Sequence, residues 1–225
     1  MNQQKTSETK RPGEAEVVRV VFTASNLAVS RGGRPVLTNV SLRAEPGDAV
    51  VLRGPNGVGK TTLLRAFAGL LRPDSGTVGF TDAADAGRSR APSEVSIFCG
   101  VLNAHKAALT LRENLAFWAA LYRAPQTRIE AASTQFKLAP YSDYLAGALS
   151  TGLARRLGLA RLIIAERPVW FIDEPTAALD SASSEDFVTL VEAHRQRGGV
   201  VVIATHDPLP LNGARIFELT AKAAA

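Results

Sequence analysis

The sequence predicts an α/β fold organised around a phosphate-binding loop, and three observations carry that prediction. The first is Gly54-Pro55-Asn56-Gly57-Val58-Gly59-Lys60-Thr61, a complete G-x-x-x-x-G-K-[ST] motif between an apolar stretch, 49–53, and a segment of helical character, 61–71. The second is a pair of continuous apolar runs, 169–172 and 200–204. Parallel strands covered on both faces read this way. The third is helical periodicity over about 110–160, between the loop and those runs.

The elements follow in order. Residues 1–16 are polar, with Lys, Glu, Thr, Gln, Pro and Gly, and read as a disordered N-terminal extension without the apolar core of a secretory signal. The main domain spans 17–225. Strands are expected at 17–22 and 27–29, then a turn at Gly32-Gly33. Residues 40–44 alternate in polarity, as a half-exposed strand does, and run into the Pro46-Gly47-Asp48 turn. The stretch 73–94 is rich in Pro, Asp, Ser, Gly and Ala, and reads as loops around one short strand at 77–80. A helical lobe is expected over about 103–160. Thr110 and Glu113 have the spacing of a capping box, and Leu111, Leu115, Trp118, Ala119 and Tyr122 recur at helical intervals. Trp118 and Tyr122 read as core.

Composition narrows the function classes. The chain has 225 residues, 46% of them hydrophobic, enough to bury a substantial core. No apolar run reaches the ~20 residues that span a bilayer. Cys99 is the only cysteine, so no intramolecular disulfide can form. The net charge of +5 comes from scattered Lys and Arg without an aromatic-rich basic module, so nucleic acid is not an expected partner.

The candidate chemistry is phosphoryl transfer. The backbone of 54–62, through Thr62 and with an N–H at every residue but Pro55, is placed to close around phosphate oxygens, with glycines at 54, 57 and 59 allowing the tight path. Lys60 is expected at the β- and γ-phosphates and the Thr61 hydroxyl at Mg²⁺. Asp173-Glu174 closes the strand at 169–172, where α/β folds bind ligands. Asp173 is the candidate second Mg²⁺ ligand and Glu174 the general base. Ser150, before a helical stretch, is an N-cap that can also present N–H groups and a hydroxyl to phosphate. His206 follows the strand at 200–204, as a candidate γ-phosphate contact.

These motifs stand in the order found in ABC-type ATPases. Gly54–Thr61, 149–152, 169–174, Ala177-Ala178-Leu179-Asp180 and His206 resemble that family's Walker A, signature, Walker B, D-loop and switch-histidine motifs, over about residues 25–220. The resemblance implies a P-loop NTPase of the ABC type, with a mixed sheet core, a compact helical lobe and a small antiparallel β subdomain. It implies ATP and Mg²⁺, and a homodimer packed head to tail in which Ser150 and Gly152 act in trans. It also implies integral membrane partner subunits. Within the family, Arg53 to Gly57, Leu109 to Leu115, Asp173 to Asp180 and Thr205-His206-Asp207-Pro208-Leu209 resemble the haem-exporter ATPases of cytochrome c biogenesis. That resemblance implies a peripheral subunit on the cytoplasmic face of the bacterial inner membrane, hydrolysing ATP for haem export and release of a haem chaperone.

The sequence departs from the family pattern at three places. Thr151 and Leu153 stand where the signature usually has Gly and Gln; Thr151 is expected to resist a positive φ. The usual sensor-loop Gln falls near Val101, with Asn103 or His105 as candidate substitutes. Arg31 stands near the expected adenine-stacking aromatic, where its guanidinium can stack on the base or simply face water. An ABC ATPase for another cargo, and a nucleotide-binding regulatory module with little turnover, are the alternative readings.

Overall fold

The computed structural model describes residues 18–220; the N-terminal extension expected at 1–16 lies outside them. In chain order the elements are β1 (Val20–Arg31), β2 (Arg34–Ala44), β3 (Ala49–Arg53), α1 (Lys60–Phe67), β4 (Ser75–Asp82), α2 (Pro92–Val95), β5 (Ser96–Cys99), α3 (Leu111–Tyr122), α4 (Gln126–Gln135), α5 (Thr151–Ala165), β6 (Val169–Asp173), α6 (Ser181–Gln196), β7 (Val200–Ala204) and β8 (Arg215–Glu218). Five strands form a parallel sheet in the order β5-β6-β7-β3-β8. The antiparallel pairs gather in a separate three-stranded sheet, β2-β1-β4.

Both faces of the parallel sheet are covered, which is why its strands read as unbroken apolar runs. Val169 and Phe171 of β6, with Val200, Val202 and Ala204 of β7, face a core shared with the antiparallel sheet and α1. Trp170, Ile172, Val201 and Ile203 face the helices α3, α5 and α6. Between the sheets Phe22 lies 4.9 Å from Phe67 and 5.2 Å from Phe171, both edge to face. Truncating one such ring to Ala costs about 3–5 kcal/mol. On the opposite face Trp170 stacks on His194 at 3.7 Å. Trp118 is buried in the helical core and Tyr122 packs against it, as expected.

Several boundaries differ from the sequence reading, each for a local reason. The strands expected at 17–22 and 27–29 are one strand within the described residues. It continues through a register shift at Asn26, whose φ of 51° and N–H bond to Ser41 Oγ at 2.9 Å absorb the extra residue. The helix expected to reach 71 ends at Phe67. Gly69 takes φ 71° and donates to Ala66 O, so apolar Leu70 and Leu71 lie past the cap. The strand at 77–80 lengthens to 75–82 because β1 offers it a full antiparallel partner. In the helical region, α3 starts at the capping box: Thr110 Oγ1 accepts from Glu113 N, and Glu113 Oε2 from Thr110 N. It is followed by α4, two short 3-10 turns and α5.

Candidate functional site

The site forms where the C-terminal ends of β3, β6 and β7 meet the N-terminus of α1. The phosphate loop joins β3 to α1 and needs glycine for space. A Cβ on Gly54 would lie 2.3 Å from Leu219 O, and one on Gly59 2.8 Å from Val36 Cγ1. Gly59 caps α1 without a side chain, and the first turn carries no acid, so its N–H groups and positive dipole end stay available to an anion. Lys60 Nζ donates to Gly54 O at 2.7 Å and Pro55 O at 3.1 Å, and lies 3.2 Å from His206 Nε2. An ammonium only donates, so in this contact Nε2 is the acceptor.

Thr61 Oγ1 donates to Asp173 Oδ2 at 2.6 Å, the short length of a charge-assisted bond. Asp173 is 2% exposed. A hydroxyl beside a carboxylate is a hard-oxygen donor set that suits Mg²⁺, which takes few protein ligands and completes its shell with water and phosphate. Among the described residues there is no cluster of three or more His, Cys, Asp or Glu side chains to hold a softer metal. Glu174 takes φ 45°, and its N–H donates to Ala204 O at 2.8 Å. Its Oε2 accepts from His206 N at 3.3 Å, and Oε1 lies 3.5 Å from His206 Nε2.

Lys60, Thr61, Thr62, Asp173, Glu174 and His206 line one crevice of about 310 Å³, with Arg31, Asn56, Gly57, Gly59 and Val101. Gly54, Pro55 and Val58 do not line it: the first two hold Lys60 through their carbonyls, and Val58 is buried. Ser150 and Gly152 do not line it either. Ser150 caps α5, accepting from Leu153 N at 3.3 Å. Gly152 faces the segment before α6, where a Cβ would come within 2.8 Å of Ala178 O.

Two sequence expectations are corrected here. Thr151 is the first residue of α5 and has no positive φ, so the expected strain of a β-branched residue is absent. Asn103 and His105 do not replace a crevice Gln: neither lines the crevice, and Asn103 Oδ1 accepts from Arg155 Nη1 at 3.1 Å. Val101 does stand at the crevice, 54% exposed, and brings no polar group.

Sequence reasoning did not assign roles to two arginines that shape the site. Arg53 donates to Thr205 O at 3.1 Å, His206 O at 2.7 Å and Asp207 O at 2.8 Å, tying the His206 turn to the start of the phosphate loop. Arg155 does the same for the Glu174 turn from beneath. The loops are joined further by Thr176 Oγ1, which donates to Asp207 Oδ2 at 2.8 Å. Asp180 caps α6 by accepting from Ser183 N at 2.7 Å, and that bond holds its carboxyl below the usual range. Nothing marks the two arginines in sequence except a basic residue beside each motif.

Comparison with known proteins agrees with this geometry. The family model described as ABC transporter matches residues 37–177. A cytochrome c biogenesis ATP-binding export protein CcmA of Rhizobium etli is 44% identical over 203 residues, covering 88% of this chain and 94% of the relative. Its counterpart of the same name from Cereibacter sphaeroides is 45% identical over 198 residues, covering 88% of each. A solved ATP-binding subunit of an ABC transporter has the same fold, with a TM-score of 0.77 at 21% identity over 90% of this chain and 88% of that one.

Proposed function

The chain belongs to the ABC transporter family, and on that footing we propose that it is the ATP-hydrolysing subunit of a membrane complex that serves haem export and haem-chaperone release in cytochrome c biogenesis. The observation that carries the ATPase half is the meeting of Lys60, Thr61, Asp173, Glu174 and His206 around one crevice. The 44% identity to relatives named for cytochrome c biogenesis carries the pathway half.

The reaction is transfer of the γ-phosphoryl group of ATP to water. Gly57, Gly59 and the first turn of α1 direct N–H groups at the phosphates, and Lys60 moves from its carbonyl partners to the phosphate oxygens. Thr61 and Asp173 would hold Mg²⁺, which neutralises charge on the transferring group when bound. Glu174 takes the proton of the attacking water, and His206, between Lys60 and Glu174, orders the nucleophile beside the γ-phosphate. This chemistry depends on position and charge rather than on a covalent intermediate. The intact set favours turnover over a silent regulatory module, despite Val101 and Leu153.

The placement of Ser150 and Gly152 away from the crevice supports a second copy of the chain, whose α5 N-terminus completes the phosphate site. An exposed apolar surface on the helical lobe supports docking of an integral membrane subunit. Phe117 and Leu121 share a face of α3 at i, i+4 spacing. Tyr144 and Leu145 adjoin the start of that helix, where Leu111 N donates to Tyr144 O at 2.9 Å. No helix among the described residues is long and apolar enough to cross a membrane. In the proposed reading the subunit attaches peripherally at the cytoplasmic face of the inner membrane, through this surface.

The test is genetic. In a strain lacking the gene, covalently bound haem is stained in membrane proteins after complementation with wild type or Glu174→Gln. Loss of c-type cytochrome signal, restored by wild type alone, is the expected result. Normal cytochromes in the deletion strain would remove the haem assignment.

A further inference from the structure

Arg155 lies on α5, five residues past the Ser150 cap, and is 3% exposed. Its guanidinium has five N–H donors, and all five are used. Nη2 donates to Asp173 O at 2.7 Å and Glu174 O at 2.8 Å, and Nε to Pro175 O at 3.1 Å. Nη1 donates to Gly100 O at 2.7 Å and Asn103 Oδ1 at 3.1 Å. None of these acceptors is a carboxylate. A buried cation held only by neutral oxygens is costly unless every donor is satisfied, and here every donor is.

The acceptors belong to two segments far apart in sequence. One is the turn that carries Glu174. That residue has φ 45°, a conformation costly for a side chain larger than glycine's, so its peptide planes must be held. The Ala204 carbonyl holds its N–H side at 2.8 Å, and Arg155 holds its carbonyl side. Together they fix the direction in which the Glu174 carboxylate leaves the backbone, towards His206. The other segment is the loop after β5, with Gly100 and Asn103 gripped from below and Val101 and Leu102 between them exposed. Gly158, one turn along α5, makes the contact possible, since a Cβ there would lie 2.8 Å from the Asn103 side chain.

We propose that Arg155 is a positioning residue for hydrolysis: one guanidinium sets the orientation of Glu174 and ties it to the 100–103 loop, so that movement of that exposed loop is felt at the water-activating carboxylate. The link runs beneath the crevice through backbone carbonyls. It needs no polar side chain at position 101, where Val101 supplies none. The proposal rests on the reading of Glu174 as the general base.

The test uses the full chain and four variants: Arg155→Lys, Arg155→Met, Asn103→Ala and Glu174→Gln. Phosphate release is followed against Mg-ATP concentration, ATP binding by equilibrium dialysis, and hydrogen exchange in the peptide spanning 173–180. Folding is checked by circular dichroism. Lysine keeps the charge but cannot reach both segments. Arg155→Lys is expected to lose on the order of a hundredfold in kcat, as misplacement of a reacting group by about 1 Å does. KM and ATP affinity stay unchanged, and exchange quickens only around 173–177. Asn103→Ala is expected to lower kcat several-fold with the same unchanged KM. A folded Arg155→Lys with wild-type kcat overturns the proposal, as does a fall in ATP affinity matching the fall in rate. If neither Arg155 variant folds, Asn103→Ala decides: wild-type kcat and exchange overturn it, and reduced kcat with local exchange supports it. Wild-type hydrolysis by Glu174→Gln would instead defeat the general-base reading, and the exchange data would still report whether Arg155 holds the turn.

Discussion

Replacing Thr61 by Val tests the centre of the site with almost no change of shape. Both residues are β-branched and suit the first turn of α1 about equally. The hydroxyl that donates to Asp173 Oδ2 at 2.6 Å is lost. Asp173 is 2% exposed, and among the described residues no other side-chain donor reaches its carboxylate, so little water can compensate. A hydrogen bond to a charged group contributes about 1.5–3 kcal/mol. Its loss should therefore lower stability in metal-free buffer by about 2 kcal/mol, which in a chain of this size is a fall in Tm of roughly 4–8 °C. Urea denaturation at pH 7.5 measures it, with Thr61→Ser, which keeps the hydroxyl, as the control. The same change should raise the Mg²⁺ concentration that phosphate release requires, because one of two proposed ligands is gone. A Thr61→Val protein within about 0.5 kcal/mol of wild type, the usual span for surface changes, would refute the reasoning.

Three further outcomes are expected. Burial pushes the His194 imidazole down to about 4 from 6.5, and its Nε2 lies 3.1 Å from Pro168 O. The unfolded chain therefore binds a proton between those values that the folded chain refuses. His194 contributes stability above pH 6.5 that is lost as pH falls towards 4, by about 3 kcal/mol at most; urea titrations across that window should show this slope, and His194→Phe, which can still stack on Trp170, should lack it. Gly152→Ala should destabilise the junction of α5 with the segment before α6, since its Cβ would stand 2.8 Å from Ala178 O; thermal melting should show the loss, and an unchanged Tm would contradict it. Lys60→Ala should lower both ATP affinity and turnover, measured by equilibrium dialysis and phosphate release, and an effect on rate alone would place Lys60 outside ground-state binding.

Much of the fold was legible because burial on both faces leaves an unmistakable trace. The runs at 169–172 and 200–204 became β6 and β7, flanked by two cores. The phosphate loop was legible because each residue type in it answers a backbone demand. What escaped reading depends on contacts between distant segments. The bulge at Asn26 is set by Ser41 across the sheet. Leu70 and Leu71 continue a helical pattern that Gly69 has already ended. Arg53 and Arg155 act on backbone carbonyls up to 154 residues away, and a carbonyl has no letter in the sequence. The expected strain at Thr151 came from the family pattern, whereas in this chain the position is an ordinary first helical residue.

The most direct test of the central claim is phosphate release by the purified chain, with ATP binding measured in parallel for wild type and Glu174→Gln. The account predicts Mg²⁺-dependent release by wild type. In Glu174→Gln, release should fall by about 10²–10⁴-fold, the usual contribution of a positioned general base, while ATP is still bound. Release by Glu174→Gln at the wild-type rate would contradict the assignment of the crevice as a hydrolytic site organised by Glu174.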